Sequence, residues 1–366
     1  MRTGVDTIAL AADGAIALAA RLHTLDPFAF RVTETFGLRW YGLAYVAGFV
    51  IAWAWLRALA KRSLVRLAPE QADDYVLAVV LGVVAGGRLG YAALYSPSLL
   101  WEFGGSFPFW GLLDLSRGGM ASHGGMLGIL AAAWWIHRRT GAGPLHLLDA
   151  AAAVGLPGVF LGRLANFING ELLGKVAAGP GEPAPAWAVR FPQELLERPS
   201  EVAWERVGGR LAELAGPLAP PGSDPLGYAA LARLVEAVQA DEPGVRAAIE
   251  PLLNARHPSQ LYQALAEGVV CLAVIWIVWA RPRRPGVVLA WFLITYGAGR
   301  IVTEFWRLPD AHLATPELLG LSRGQWLSAV MALGGAGLLG WIVARKPGEP
   351  VGGWLAPRAG RAARAG

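Results

Sequence analysis

Apolar runs dominate this chain, and they recur at lengths suited to a bilayer rather than to a soluble core. Crossing about 30 Å of hydrocarbon takes roughly 20 residues of helix. Seven segments approach that length: 40–57, 75–95, 119–137, 146–164, 259–280, 287–305 and 325–344. Several carry Gly or Pro, which membrane helices tolerate where neighbours cover the backbone. The pattern predicts an all-α polytopic membrane protein of about seven transmembrane helices.

Two stretches break the pattern. Residues 175–256 carry eleven prolines and mixed charge, which predicts a small extracytoplasmic head with short helices near Gln193–Glu197 and Leu226–Ala240. Residues 96–118, rich in Gly, Pro, Phe and Trp, read as an interfacial or re-entrant loop. Ile8–Ala20 is apolar but short and interrupted by Asp13, so it reads as an interfacial or poorly ordered segment rather than a cleaved leader. The expected division is a membrane core over 1–174, the head over 175–256, the last three spans over 257–344 and a basic cytoplasmic tail over 345–366.

Composition supports this picture. Of the 366 residues 55% are hydrophobic and 16% charged, against about 25% charged in a soluble domain. The 16 tryptophans suit a lipid–water interface. The net charge of +5 does not point to nucleic acid, because the basic residues lie in short loops between apolar runs. Arg57, Lys61, Arg62 and Arg66 follow the first span, Arg138 and Arg139 the third, Arg281, Arg283 and Arg284 the fifth. Arg345, Lys346, Arg358, Arg361 and Arg364 follow the seventh. All four clusters fall on one side, which the positive-inside rule places in the cytoplasm, leaving the N-terminus outside and the C-terminus inside.

The lone Cys271 lies in an apolar run, so intrachain disulfides are excluded and it reads as a small buried or lipid-facing hydrophobe. The histidines are scattered without H-E-x-x-H spacing, and neither G-x-x-x-x-G-K-[ST] nor G-x-S-x-G occurs. No metal and no cofactor are expected.

Candidate chemistry begins where the fourth span ends, at Gly162-Arg-Leu-Ala-Asn-Phe-Ile-Asn-Gly-Glu-Leu-Leu-Gly174. An arginine at the centre of a membrane helix costs about 2.5–3.5 kcal/mol on insertion scales, so Arg163 marks a polar site facing the protein interior. Arg163, Asn166 and Gly170 share a helical face, with Asn169 and Glu171 at the boundary and Gly174 beyond. A purely structural turn is the alternative.

Tyr296, Arg300, Glu304 and Arg307 stand at i, i+4, i+8 and i+11, again one face. Two arginines against one glutamate leave positive charge that suits a phosphate, while a helix-pinning ion pair is the plainer reading. His123, before paired glycines, is either a proton acceptor near neutral pH or a helix contact. His257 precedes Pro258 as a cap or entrance residue. Tyr41, beside Trp40, doubles as an interfacial anchor. Gly-Arg-Leu/Ile recurs at 87–89, 162–164 and 299–301, placing Arg88, Arg163 and Arg300 at similar depth by repeat or by chance.

At these residues the chain resembles the bacterial prolipoprotein diacylglyceryl transferases. The resemblance runs through G-R-L-A-N-F-I-N-G-E-L-L-G at 162–174, W-Y-G at 40–42, G-G-R-L-G-Y at 86–91, S-H-G-G at 122–125, R-H-P-S-Q-L-Y at 256–262 and Y-G-A-G-R-I-V-T-E-F-W-R-L-P-D at 296–310. Ala165 stands where the family usually has Gly and Lys175 where it often has Arg, and the insertion is long for the family.

The resemblance implies a cytoplasmic-membrane enzyme that moves the diacylglyceryl group of phosphatidylglycerol onto the lipobox cysteine of a prolipoprotein signal peptide. A thioether forms and glycerol-1-phosphate leaves. It implies roles for Tyr41, His123, Arg163, Asn166, Glu171, Gly174, Arg300 and Glu304. Arg163 and Arg300 are expected on the phosphate, Glu304 orienting Arg300, Asn166 and Glu171 on glycerol hydroxyls, and His123 as the leading candidate base for the thiol, with a carboxylate the alternative. Asn169, Gly174, Arg88, Tyr296, Arg307 and His257 complete the expected substrate contacts. An organic-anion transporter, which predicts inverted repeats with broken helices, and a non-catalytic lipid-binding factor are the competing readings.

Overall fold

The computed structural model describes residues 20–33, 37–105, 107–114, 118–197, 201–308 and 320–356. The protein is an all-α polytopic membrane protein. Its helices are α1 (Trp40–Lys61), α2 (Pro69–Leu94), α3 (Ser122–Thr140) and α4 (Pro144–Asn169). The short α5 (Glu194–Glu197), α6 (Trp204–Ala215), α7 (Tyr228–Gln239) and α8 (Val245–Ile249) follow, then α9 (Ser259–Val278), α10 (Val287–Glu304) and α11 (Arg323–Arg345).

Among the described residues six helices are long and apolar enough to cross a membrane: α1, α2, α4, α9, α10 and α11. The remaining expected span is α3, a helix of 19 residues in the expected place. His123 near its start and His137, Arg138 and Arg139 in its last turn lower its hydropathy, so it is not one of the six. Ile8–Ala19, and much of the basic tail, lie outside the described residues.

The chain gathers into two compact units. One draws on Met1–Tyr45, Val159–Gly268 and Ala298–Ala329, the other on Val46–Gly158, Val269–Gly297 and Val330–Gly366.

In the second unit α2 and α3 meet along a glycine seam. Gly82, Gly86 and Gly90 recur every fourth residue on α2 and face Gly124 and Gly128 of α3, and a Cβ at Gly82, Gly86 or Gly128 would run into the facing backbone. Lipid offers helices no hydrophobic reason to associate, so small residues that let backbones approach do that work. The α3 helix stops at Gly141 in the left-handed conformation. Around the seam Leu56, Tyr75, Ile136, Leu147 and Ile275 form a buried core, in which the Tyr75 hydroxyl donates to the Leu147 carbonyl at 3.0 Å. Asp149 accepts the backbone N–H of Gly286 and of Leu289, both at 2.7 Å, so a side chain of α4 satisfies the open N-terminus of α10. Cys271 is buried, as its surroundings in the sequence suggest.

Residues 96–118 hold two single turns, Pro97–Leu100 and Gly111–Leu113, and leave Trp101, Phe103, Phe107 and Phe109 exposed. Arg88 braces this segment. Its Nε donates to the Leu112 carbonyl at 2.8 Å, Nη2 to Gly111 at 2.8 Å and Asp114 at 2.7 Å, and Nη1 to Gly119 at 3.0 Å and to Gly118.

In the first unit the insertion contains the two expected helices, as Glu194–Glu197 and Tyr228–Gln239, with α6 and α8 beside them. They close on a core of Leu195, Val207, Leu211, Leu231, Leu234 and Ile249. A sheet that the sequence did not suggest joins it. Strands β1 (Arg21–Leu22), β4 (Val176–Ala178), β5 (Val189–Arg190) and β6 (Ala255–Arg256) run in the order β1-β5-β6-β4, while β2 (Phe28–Arg31) and β3 (Gly37–Arg39) pair separately. Strands of two to four residues are too short to show a period-two alternation.

Arg256 and Glu194 form an ion pair at 2.6 Å with no side-chain exposure on either partner. Burial pushes the Glu194 carboxyl up, against the pull of Arg256 and the Asn254 backbone N–H. Arg256 Nη1 also donates to the Gly174 carbonyl at 3.0 Å, which ties the insertion to the end of the 162–174 segment.

The glycine seam makes Gly128→Ala costly: thermal stability should fall by about 1–3 kcal/mol, the usual effect of overpacking. Gly104→Ala, with open space around it, should leave the melting temperature of the detergent-solubilised protein unchanged. A pH dependence is expected from His23, whose Nε2 donates to the Phe167 carbonyl at 2.8 Å while Gln193 donates to its Nδ1 at 3.3 Å. Burial lowers its pKa from 6.5 to about 4. The neutral ring therefore contributes its full stability above pH 6.5, and that contribution, on the order of 3 kcal/mol, is lost as the pH falls towards 4. Melting temperatures across that window should fall steeply for the parent protein and less steeply for His23→Leu.

Candidate active site

The 162–174 segment supplies the first wall of the site. Arg163 and Asn166 lie on the last turns of α4, which ends at Asn169. Gly170 then adopts a left-handed conformation at φ 67°, reversing the chain so that the Glu171 backbone N–H returns to the Asn166 carbonyl at 3.0 Å. The reversal brings the Glu171 carboxylate back over the helix end. Asn166 Nδ2 donates to it at 3.2 Å and Asn169 Nδ2 at 3.1 Å. The Glu171 carbonyl accepts from Gln260 Nε2, and the Leu172 carbonyl from Ser259 Oγ at 2.9 Å.

Gly174 bridges Arg307 in antiparallel fashion, with Leu308 N–H donating to Leu173 and Lys175 N–H to Trp306, both at 2.9 Å. The end of α10 and the 162–174 loop are thereby held side by side.

The centre of the site is Glu267. It has no solvent exposure and sits in a π-helical stretch of α9, Ala264–Val270, a distortion that recurs at functional sites. Its Oε2 accepts from Arg163 Nε at 3.1 Å and Nη2 at 2.8 Å. Its Oε1 lies 3.6 Å from Arg300 Nη1 and 3.5 Å from Thr303 Oγ1. Glu304 in turn pairs with Arg300 Nη2 at 3.1 Å and with Arg307 Nη1 at 3.6 Å, and accepts from Ser322 Oγ at 3.3 Å. Among the described residues three guanidiniums thus meet two carboxylates in a largely buried cluster. Guanidinium forks gathered in one place suit a phosphodiester or another oxyanion.

Tyr41, in the first turn of α1, lies within electrostatic reach of Glu171 and Arg163 and touches the Tyr45 hydroxyl at 3.3 Å. His257 stands just before α9, its ring 4.6 Å from that of Trp187 and its Nδ1 3.4 Å from the Tyr262 hydroxyl. Burial lowers its pKa, which fits an aromatic entrance position better than a charged ligand.

Of the residues singled out in the sequence, Tyr41, Arg163, Asn166, Asn169, Glu171, Gly174, His257, Arg300, Glu304 and Arg307 belong to the first unit. Arg88, His123 and Tyr296 belong to the second. Arg88 directs all five guanidinium donors at backbone carbonyls, so it positions a loop. His123 is exposed in the first turn of α3. Tyr296 packs its ring on Phe292 at 5.5 Å and borders the core of the second unit. Glu267 was missed by sequence reasoning although a signal existed: it is the only charged residue in 259–280, and a carboxylate inside a membrane span is a functional candidate by default.

Comparison with known proteins identifies the family. The family profile for prolipoprotein diacylglyceryl transferase matches residues 27–341. A phosphatidylglycerol–prolipoprotein diacylglyceryl transferase of Bdellovibrio bacteriovorus is 39% identical over 329 residues, covering 85% of this chain and 90% of that one. The protein of the same name from Oleidesulfovibrio alaskensis is 34% identical over 321 residues, covering 87% and 93%. That of Ruegeria pomeroyi is 36% identical over 335 residues, covering 86% and 92%. With the profile and these relatives spanning nearly the whole sequence, this chain belongs to the prolipoprotein diacylglyceryl transferase family.

Proposed function

We propose that this membrane protein transfers the diacylglyceryl group of phosphatidylglycerol to prolipoproteins, and that the arginine cluster of the first unit holds the lipid phosphate. The observation that supports the assignment is the convergence of Arg163, Arg300 and Arg307 on Glu267 and Glu304 in one largely buried cluster.

In the reaction the lipobox thiolate attacks the lipid glycerol carbon that bears the phosphate. A C–S bond forms, the C–O bond breaks, and its electron pair passes to the departing glycerol-1-phosphate. Negative charge grows on the phosphate as it leaves. Guanidiniums already fixed around that position stabilise the growing charge without having to reorganise. Without Glu267 the neighbouring guanidiniums of Arg163 and Arg300 would repel each other, so its carboxylate keeps both aimed at one place. Asn166, Asn169 and Glu171 supply neutral and acceptor groups for glycerol hydroxyls, and Tyr41 stands beside them.

A free cysteine thiol has a pKa of about 8.5, so the reaction gains from a base. His123 is the candidate for that role. The positive-inside pattern supports an orientation with the N-terminus and the 175–256 insertion outside the cytoplasm and the C-terminus inside, so that the site lies on the side where exported precursors arrive.

Purified protein incubated with phosphatidylglycerol and a lipobox peptide should add one diacylglyceryl group to the cysteine and release glycerol phosphate, measured by mass spectrometry. Arg163→Ala and Arg300→Ala should each lower the rate by about 10²–10³-fold, and Glu267→Gln by about 10–100-fold, while all three still insert in the membrane. Near-normal turnover in either arginine variant would sink the phosphate assignment. For His123→Gln the expectation is a changed rate–pH curve, and an unchanged curve removes His123 as the base.

A further inference from the structure

The α9 helix carries a second polar residue that the reaction as described does not use. Gln263 has no solvent exposure, and neither its Nε2 nor its Oε1 meets a hydrogen-bond partner among the described residues. Leaving a buried donor or acceptor unpaired costs about 1–3 kcal/mol, and such groups are rare enough in native proteins to call for an explanation. The helix places this amide at the site. Gln260, Gln263 and Glu267 follow one another at i, i+3 and i+7 on one buried face. Gln260 donates to the Glu171 carbonyl, and Glu267 holds Arg163 and Arg300. Gln263 therefore stands between the loop that carries Glu171 and the carboxylate that carries the arginines. Two further atoms of this polar face, Gln260 Oε1 and Asn169 Oδ1, are likewise buried without a hydrogen-bond partner among the described residues.

We propose that Gln263 binds a hydroxyl of the phosphatidylglycerol head group and so selects this lipid among phospholipids. The proposal rests on the reading of the arginine cluster as the phosphate site. An uncharged amide offers one kind of donor and one acceptor, which is what a hydroxyl, itself a donor and an acceptor, requires. A phosphate would turn only acceptors towards it and leave Oε1 unmatched. A site built around a substrate hydroxyl discriminates against the analogue that lacks it, because the buried amide is then left unpaired.

The test compares transfer from phosphatidylglycerol with transfer from phosphatidylpropanediol, which lacks one head-group hydroxyl, in the parent enzyme, Gln263→Leu and the closer isostere Gln263→Met. The parent should favour phosphatidylglycerol in kcat/KM by roughly three- to tenfold. Both variants should lose that preference by falling to the level of the deoxy lipid, with the KM for the lipobox peptide unchanged. An amide that only stabilises the fold would shift the melting temperature and leave the preference intact, which overturns the proposal. So does an effect confined to the KM for the peptide, which would assign Gln263 to the protein substrate. Should the parent enzyme transfer nothing from phosphatidylglycerol, the functional reading itself fails. Retention of the two lipids by the parent and by Gln263→Met in native mass spectrometry then decides the role of Gln263: an equal ratio in both proteins overturns it.

Discussion

A carboxylate wholly shielded from solvent, Glu267, stands between two guanidiniums that come from different helices. Alone, each of these three charges would be expensive within a membrane, and Arg163 and Arg300 would push one another apart. Together they form a set in which each charge is met by the opposite one, at 2.8 Å on the Arg163 side and 3.6 Å on the Arg300 side. The ends of α4 and α10 are thereby held to the middle of α9. Glu304 shares Arg300 with Glu267 and takes Arg307 as well. The same arrangement that makes the arginines tolerable also gathers them in one place.

Around this centre the insertion works as a scaffold. Its Arg256–Glu194 pair is wholly buried on both sides, a combination that is stable only when further hydrogen bonds accompany the pair. Asn254 answers Glu194 and the Gly174 carbonyl answers Arg256. Gly174 then bridges Arg307, and Gln260 holds the Glu171 carbonyl. Strands of two or three residues are enough for this, since their task is to join four distant pieces of chain rather than to form an extended surface. In the second unit the same economy of material appears as the glycine seam of α2 and α3 and as a single arginine, Arg88, bracing a whole aromatic-rich loop.

Much of this architecture is legible in the order of residues alone. Hydrophobic run length locates the apolar helices, because the thickness of a bilayer imposes a length that local sequence must meet. The grouping of Arg163, Asn166 and Glu171 is readable because helical periodicity and a Gly turn act over a few residues. The same holds for Arg300, Glu304 and Arg307 along α10. Tyr296 satisfies that periodicity equally well yet lies in the core border of the other unit: a shared helical face does not say how far along the helix a site extends. Arg88 shares its Gly-Arg-Leu context with Arg163, but five carbonyls from a loop more than twenty residues away claim its donors.

By itself, then, the sequence determined the class of the protein, the places where polar chemistry enters the membrane, and a surplus of arginine over local carboxylate. Those follow from short-range periodicity and from the cost of charge in hydrocarbon, both of which are written residue by residue. Only the tertiary structure decided which carboxylate balances which arginine. Glu267 is 104 residues from Arg163 in the chain, and no pattern along one helix can specify a partner on another. It also decided that Gln263 stands buried with its amide unpaired among the described residues, since burial and hydrogen-bond satisfaction are properties of packed helices and not of any one of them.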